Sequence, residues 1–338
     1  MSIRIVGEAL PNLPWQDRPA GCGDVIWRNT ENPITGWNPT PQTARVFNSA
    51  VVPFDRGFAG VFRADHRDGK ARLHAGFSTD GLQWSIEDGE IRWIDESGKP
   101  WQPNYAYDPR VVRLGDAWYV TWCTDFGGAA LGLGMTRDFR TFVRLENPMV
   151  PFTRNGVLFP RKVHDRYLLL SRPSDGGHTA FGDIFLSESP DLVHWGRHRR
   201  VMTRGGSGWW QELKIGAGPI PVETDEGWLL LYHGVTRTCN GYVYSMGGAV
   251  LDAEEPSVVR HRSRGYLLTP ETAYETTGFV PNVVFPCATL VDAPTGRMTV
   301  YYGAADTVTG IAHAHVGALI DHIRNDSELL PGDGMVCR

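Results

Sequence analysis

The sequence contains no apolar run approaching 18 residues, so it offers no transmembrane helix. Residues 1–30 lack a continuous apolar stretch, because Arg4, Glu8 and prolines interrupt them, and no secretory signal peptide is expected. There is no C-x-x-C. The five cysteines (Cys22, Cys123, Cys239, Cys287, Cys337) are scattered and odd in number, the pattern of reduced thiols in a cytoplasmic protein. His74, His164, His178, His194, His233, His313 and His315 form no H-x-x-x-H on a helix and have no cysteine at ligand spacing, so no metal site is expected. A P-loop, a G-x-G-x-x-G after a strand and a G-x-S-x-G are all missing. The formal net charge is only −5 over 338 residues, which gives no reason to expect nucleic acid or an anionic membrane as partner. A homo-oligomer is compatible with the sequence, which does not decide the matter.

What is abundant is turn chemistry and aromatic side chains: 39 Gly, 23 Pro and 12 Trp, with the glycines and prolines punctuating short apolar runs. Two patterns recur. A turn of the form [S/T]-x-D-x-x-x-[W/F] begins at Ser78, Thr136 and Ser189, each time after a short β-run, with weaker copies at Gly248–Glu254 and Val316–Asp321. An aromatic strand after a Gly or Asp turn begins at Gly57, Asp116, Asp165, Gly227 and Gly296. No amphipathic helix longer than two or three turns is apparent. Five interleaved all-β units of this length predict a five-bladed β-propeller. We expect one domain spanning residues 1–338, with residues 1–40 as an N-terminal extension packing on it. A pair of β-sandwiches could carry similar turns. It gives no reason for the polar residues that end the five aromatic strands: Arg63, Thr124 with Asp125, Arg172, His233 and Asp306. In a propeller, equivalent strand ends converge on one mouth of the central channel.

Within this frame the stretch Trp101–Arg110 stands out. Asp108 lies between Tyr107 and Pro109, and the proline biases it toward an extended or turn backbone. A β-hairpin follows, so Asp108 sits where a loop meets rigid scaffold, a common position for chemistry. Alone it reads equally as a turn aspartate capping its own backbone. A cationic group consists of Arg154, Arg172, Lys214 and His233, each beside Gly, Pro or Ser in an apolar β context. Singly, each could be a surface charge or half of an ion pair. Arg172 directly follows Leu168–Ser171, and a charge ending so apolar a strand needs a partner or an anionic ligand. Together the four would make a local anion site, and Arg offers phosphate a bidentate fork while Lys acts as a point charge. A further set, Asn48, Ser49, Arg63, Tyr107, Tyr244, Phe285 and Asp306, offers the aromatic faces and hydrogen-bonding groups that a pyranose needs, although such residues also serve as propeller core and turns.

The combination of Asn48-Ser49-Ala50, Gly60–Arg63, Tyr107–Arg110, Lys214–Pro219, Tyr232-His233-Gly234 and Tyr302–Asp306 resembles glycoside hydrolase family 130, the β-mannoside phosphorylases on a five-bladed propeller. The resemblance extends through Leu10-Pro11-Asn12, Pro270-Glu271 and Tyr274-Glu275 and covers nearly the whole chain. It implies that Asp108 is the catalytic acid. It implies phosphate held by Arg154, Arg172, Lys214 and His233 with help from Tyr244, and a mannose subsite lined by Asn48, Ser49, Arg63, Tyr107 and Asp306. No cofactor is implied beyond inorganic phosphate as co-substrate.

The chemistry of the residues agrees. An inverting glycosidase needs an acid and a base that activates water. An inverting phosphorylase needs only the acid, because phosphate is already a nucleophile, together with cations to hold it. One prominent acid and four cations fit phosphorolysis of a β-1,4-mannoside, with mannosyl-N-acetylglucosamine or mannooligosaccharides as substrate. Three other readings stay open here: an inverting β-mannosidase, a non-catalytic carbohydrate-binding propeller, and a furanoside-cleaving propeller recruiting Asp125, Asp183 and Glu212.

Overall fold

The computed structural model describes residues 3–174 and 182–329. His178 and Cys337 lie outside the described residues. Five antiparallel sheets follow one another along the chain, and each supplies one propeller blade. Blade I comprises Thr43–Phe54, Gly57–His66, Ala71–Ser78 and Ser85–Ile86. Blade II comprises Ala106–Leu114, Ala117–Asp125, Ala129–Thr136 and Phe142–Met149. Two short strands extend it, Trp93–Ile94 running parallel to Phe142–Val143 and Pro100–Trp101 beyond. Blade III is Thr153–Leu158, Tyr167–Pro173, Ile184–Ser189 and Gly196–Met202. Blade IV is Lys214–Ala217, Gly227–Thr238, Gly241–Leu251 and Val259–Arg262, with Val222–Thr224 paired to Gly227–Leu229. Blade V starts with Val284–Asp292, Arg297–Ala304 and Val308–His315.

The fourth strand of blade V comes from the other end of the chain. Ile26–Arg28 pairs antiparallel with Val308–His315, in register Ile26↔Ala314. Part of the 1–40 stretch is therefore a strand of the last blade and not only an extension packed on the propeller. The closure is tied by Arg28, which donates from Nε and Nη2 to the two oxygens of buried Glu275 at 2.8 and 2.9 Å.

The two repeated patterns have distinct structural jobs. All five aromatic runs are second strands of their blades, and they feed the apolar clusters between neighbouring blades. Blades I and II share Val61, Ala75, Trp93 and Trp122, while blades III and IV share Leu168, Leu170, Trp228 and Leu230. The Ser/Thr-x-Asp turns join third to fourth strands in blades I to III. At the first of them Ser78 Oγ accepts from Gly81 N–H at 2.8 Å, and Asp80 Oδ1 accepts from the N–H groups of Leu82 and Gln83, both at 2.8 Å. Asp138 and Asp191 repeat this geometry. Asp252 keeps part of it in blade IV, accepting from the N–H groups of Glu254 and Glu255. The expected copy at Val316–Asp321 is not a turn. It opens the helix Val316–Asn325, whose Val316, Leu319, Ile320 and Ile323 form a buried stripe at helical spacing against blades IV and V.

Candidate active site

The first strands of the blades line the central channel. Three of them carry the same local device. Asn48, Asp108 and Asn155 each adopt a left-handed backbone, with φ of 49, 53 and 54°. Each sits within a β-bulge: the register slips between Phe47 and Ala50, between Tyr107 and Arg110, and between Arg154 and Val157. Bulges re-aim side chains, and Asn and Asp tolerate this conformation best among residues with a Cβ. In all three blades the re-aimed side chain enters one cavity of about 320 Å³.

That cavity is lined by Asn48, Arg63, Tyr107, Asp108, Cys123, Arg154, Asn155, Arg172, Lys214, His233, Tyr244, Phe285 and Asp306, with Tyr242 and Val280 at its edge. Larger concavities of about 870 and 840 Å³ lie elsewhere, but none of the site residues expected from the sequence lines them. Eleven of the twelve expected residues therefore share one cavity. Ser49 is the exception: it is fully buried behind the wall, its hydroxyl 3.2 Å from Thr309 Oγ1. It follows Asn48 on the strand, and its side chain leaves on the other side. Thr124 and Asp125 also miss the cavity. Thr124 donates to the Tyr105 carbonyl, and Asp125 is exposed, so blade II presents Cys123 instead. The three acids of the furanoside reading are not assembled either: neither Asp125, Asp183 nor Glu212 lines the cavity, and Asp183 Oδ1 accepts from the Arg204 N–H.

Asp108 is held on one oxygen by two donors. Asn48 Nδ2 donates to its Oδ1 at 2.8 Å, and Arg63 Nη1 donates to the same atom at 3.0 Å. Arg63 is itself held from behind, its Nε donating to Asp65 Oδ1 at 3.1 Å. The space for Asn48 is provided by Gly303: a Cβ there would stand 1.7 Å from Asn48 Oδ1. Asp306, on the turn after the second strand of blade V, is the other carboxyl of the cavity. Burial pushes it up to about 6, with Asp108 and Asp65 adding and Arg63 and Arg45 opposing.

Across the channel, blades III and IV contribute cations. Arg154 donates from Nε to the Tyr107 hydroxyl at 3.0 Å and from Nη1 to Ser174 Oγ at 3.2 Å. Arg172 is buried and donates from Nη1 to His233 Nε2 at 2.9 Å, while its Nε has no partner among the described residues. Because a guanidinium only donates, His233 Nε2 accepts and the ring proton sits on Nδ1, which also has no partner there. Burial, followed by the charges of Arg172, Lys214 and Arg110, keeps His233 neutral. Phe285 packs against its ring at 4.5 Å between centroids. Lys214 Nζ lies 5.3 Å from the Tyr244 ring centre, and burial together with Arg172 and Arg154 brings it down to about 8. Burial likewise lifts the Tyr244 hydroxyl to about 12. None of Arg154, Arg172 and Lys214 forms an ion pair with a carboxylate among the described residues, although Arg172 is buried. Such a cluster is costly until an anion occupies it.

Asn155 was not singled out from the sequence. It occupies the bulge position of blade III that Asn48 and Asp108 occupy in blades I and II, a likeness that strand pairing reveals. Its Oδ1 is buried without a partner among the described residues. No cluster of three or more His, Cys, Asp or Glu able to hold a metal occurs among the described residues.

A five-bladed propeller whose channel sets Asp108, pinned by Asn48 and Arg63, against cations with no carboxylate partner among the described residues has the character of a carbohydrate-active propeller with an anion site. The sequence model of glycoside hydrolase family 130, described as beta-1,4-mannooligosaccharide phosphorylase, matches residues 8–325. The chain belongs to this family. It is 50% identical over 337 residues to a beta-1,4-mannooligosaccharide phosphorylase of Ruminococcus albus, covering 97% of this chain and all of the relative. A 1,2-beta-oligomannan phosphorylase of a Thermoanaerobacter strain is 31% identical over 80% of this chain and 90% of its own. Among solved structures, the beta-1,2-mannobiose phosphorylase of Listeria innocua in complex with beta-1,2-mannobiose superposes with a TM-score of 0.77 at 23% identity, covering 89% of this chain and 99% of that one. At that identity the likeness speaks for the fold.

Proposed function

We propose that the protein catalyses inverting phosphorolysis of β-1,4-linked mannosides, releasing α-mannose 1-phosphate and a shortened acceptor. The observation that carries this reading is the division of the cavity. Asp108, pinned by Asn48 and Arg63, faces Arg154, Arg172 and Lys214, which have no carboxylate partners among the described residues. Asp108 acts as general acid on the glycosidic oxygen. Arg154, Arg172 and Lys214 hold the phosphate, with His233 donating from Nδ1 and Tyr244 closing the wall. Asn48, Arg63, Tyr107, Phe285 and Asp306 bind the mannose. Phosphate on the far side of the anomeric carbon displaces the leaving group in a single step, so the centre inverts. No cofactor is required beyond phosphate itself. The 50% identity to the Ruminococcus albus enzyme, whose name specifies β-1,4-mannooligosaccharides, supports the linkage. The four free thiols among the described residues, Cys22, Cys123, Cys239 and Cys287, support a cytoplasmic site of action.

The test is a product assay on β-1,4-mannobiose and mannosyl-N-acetylglucosamine, with and without phosphate and with a chelator throughout. Phosphorus and proton NMR should show α-mannose 1-phosphate formed only when phosphate is present. Free mannose at a rate indifferent to phosphate would make the protein a β-mannosidase. A β-phosphate product would overturn the single displacement.

A further inference from the structure

The cavity is small for an oligosaccharide. At about 320 Å³ it lies at the low end of the usual ~300–1,000 Å³ for ligand pockets. A mannose and a phosphate would fill it, so further sugars of a chain must lie on its rim. Tyr242 at the cavity's edge is exposed, and so is Phe279, the residue before the cavity-lining Val280.

Phe279 is 60% exposed. The guanidinium of Arg45 lies 3.8 Å from its ring centre and covers one face. Arg45 is anchored in turn by Asp65, its Nη2 donating to Oδ2 at 3.2 Å. The other oxygen of Asp65 accepts from Arg63, the residue that pins Asp108. One buried carboxylate thus supports both the catalytic acid's arginine and the arginine beneath Phe279.

The backbone of Phe279 is equally fixed. Its N–H donates to Thr307 Oγ1 at 2.8 Å, and the next N–H, of Val280, donates to the Ala305 carbonyl at 3.1 Å. Gly278 packs so closely that a Cβ would stand 2.5 Å from Thr307 Oγ1 and 2.6 Å from the Ala305 carbonyl oxygen. These contacts lock the segment against the turn that carries Asp306. Val280 already lines the cavity, so Phe279 stands immediately outside it. An aromatic ring with one face on a cation and most of its surface in water is a preorganised platform.

Its position also selects the occupant. An in-line displacement puts nucleophile and leaving group on opposite sides of the anomeric carbon. The cations of the phosphate site come from blades III and IV. Phe279 precedes blade V and rests on Arg45 of blade I. The acid assigned to the leaving group, Asp108, is pinned by Asn48 and Arg63 of blade I, the blade whose Arg45 carries Phe279, which puts the leaving group on that side.

We propose that Phe279, supported by Arg45 and Asp65, is a stacking platform for a mannosyl unit of the acceptor beyond the cleaved bond, and that it sets a preference for chains longer than the disaccharide. The inference rests on the mannoside reading of the cavity. It adds a specificity-determining residue on the rim, and the C–H face of a β-1,4-mannosyl unit buries its apolar surface on the ring.

Calorimetric titration of mannobiose, mannotriose and mannotetraose into the parent protein and into Phe279→Ala and Phe279→Trp variants tests it. The parent should bind the longer chains more tightly than mannobiose. Phe279→Ala should lose about threefold to tenfold in mannotetraose affinity, the worth of one aromatic contact, and the gain with length should vanish. Phe279→Trp should keep the gain. Equal mannotetraose affinity in parent and Phe279→Ala, or an equal loss for all three sugars, would overturn the proposal. Because binding is read without turnover, a protein that binds these chains yet makes no mannose 1-phosphate would sink the phosphorolytic reading alone.

Discussion

Arg172 Nη1 donates to His233 Nε2 across 2.9 Å, a contact between neighbouring blades that exists because residue 216 is glycine. A Cβ at Gly216 would stand 2.5 Å from His233 Cε1 and 2.8 Å from Arg172 Nη1. The pair aims at the same cavity a buried guanidinium and a neutral imidazole whose Nε and Nδ1 have no partner among the described residues. Guanidinium groups recognise phosphate through two parallel donors, so Arg172 is matched to that anion.

Arg172→Ala should therefore damage phosphate use far more than mannoside use. Losing a charge-assisted contact costs roughly 1.5 to 3 kcal/mol, so the KM for phosphate should rise on the order of tenfold to a hundredfold. Initial rates with each substrate varied in turn decide it. Equal increases in both KM values would make Arg172 a structural residue.

Asp108→Asn should lower kcat by about a thousandfold, the usual scale for loss of a positioned general acid. The exchange is nearly isosteric. Arg63 keeps its second carboxylate, Asp65, so circular dichroism and the thermal midpoint should change little. A variant with more than about a tenth of the parent's activity would place the acid elsewhere.

Much of this arrangement was readable from local sequence, and each exception has a physical cause. The five aromatic second strands and the Ser/Thr-x-Asp turns are local signals, and each keeps its meaning in the fold. Arg63, Arg172 and His233 follow the aromatic runs inside these second strands, which continue to His66, Pro173 and Thr238, and they enter the cavity together. Closure of blade V by Ile26–Arg28 is non-local: its partner lies almost 290 residues away, at Ala312–Ala314. Ser49 was included as the motif neighbour of Asn48, yet successive strand side chains point to opposite faces, so Ser49 is buried behind the wall that Asn48 lines. Asn155 was missed because a bulge is a pairing property that one strand does not reveal. Its left-handed backbone becomes visible only when blades I, II and III are laid over one another. Val316–Asp321 shows the opposite failure. A weak turn match outweighed an i, i+3, i+4, i+7 apolar pattern that was present in the chain.

Gly303→Ala should act on the acid through one neighbour. The new Cβ would occupy the place of Asn48 Oδ1, 1.7 Å away, and Asn48 would have to swing from Asp108. The variant should lose kcat while its phosphate KM stays near the parent value, since the nearest atoms to the new Cβ belong to Asn48 and not to the cations of blades III and IV. A double variant with Asn48→Ala should be no worse than Asn48→Ala alone, because the same contact is already gone. Additive losses in the double variant would show that Gly303 acts by another route.

The pH dependence should separate the two halves of the cavity. Lys214 titrates near 8 in the empty site, lowered by burial and then by Arg172 and Arg154. Below that pH it is charged and attracts phosphate; above it the charge is lost from the free enzyme. Bound phosphate is an opposite charge at close range and holds the proton on Lys214. The KM for phosphate should thus stay flat up to pH about 8 and then rise toward tenfold per unit, while kcat at saturating phosphate stays level through the same window. Asp306 behaves in the reverse sense on the sugar side. Burial raises it to about 6, so as pH falls below that value it takes up a proton and loses the charge available to the mannose hydroxyls. The KM for the mannoside should rise on that acid limb, and the KM for phosphate should not follow it there. Lys214→Met should show a high phosphate KM at every pH, without the alkaline rise, and should leave the acid limb in place. A parent whose phosphate KM is flat through pH about 9, or a Lys214→Met variant that keeps the alkaline rise, would remove Lys214 from the phosphate site.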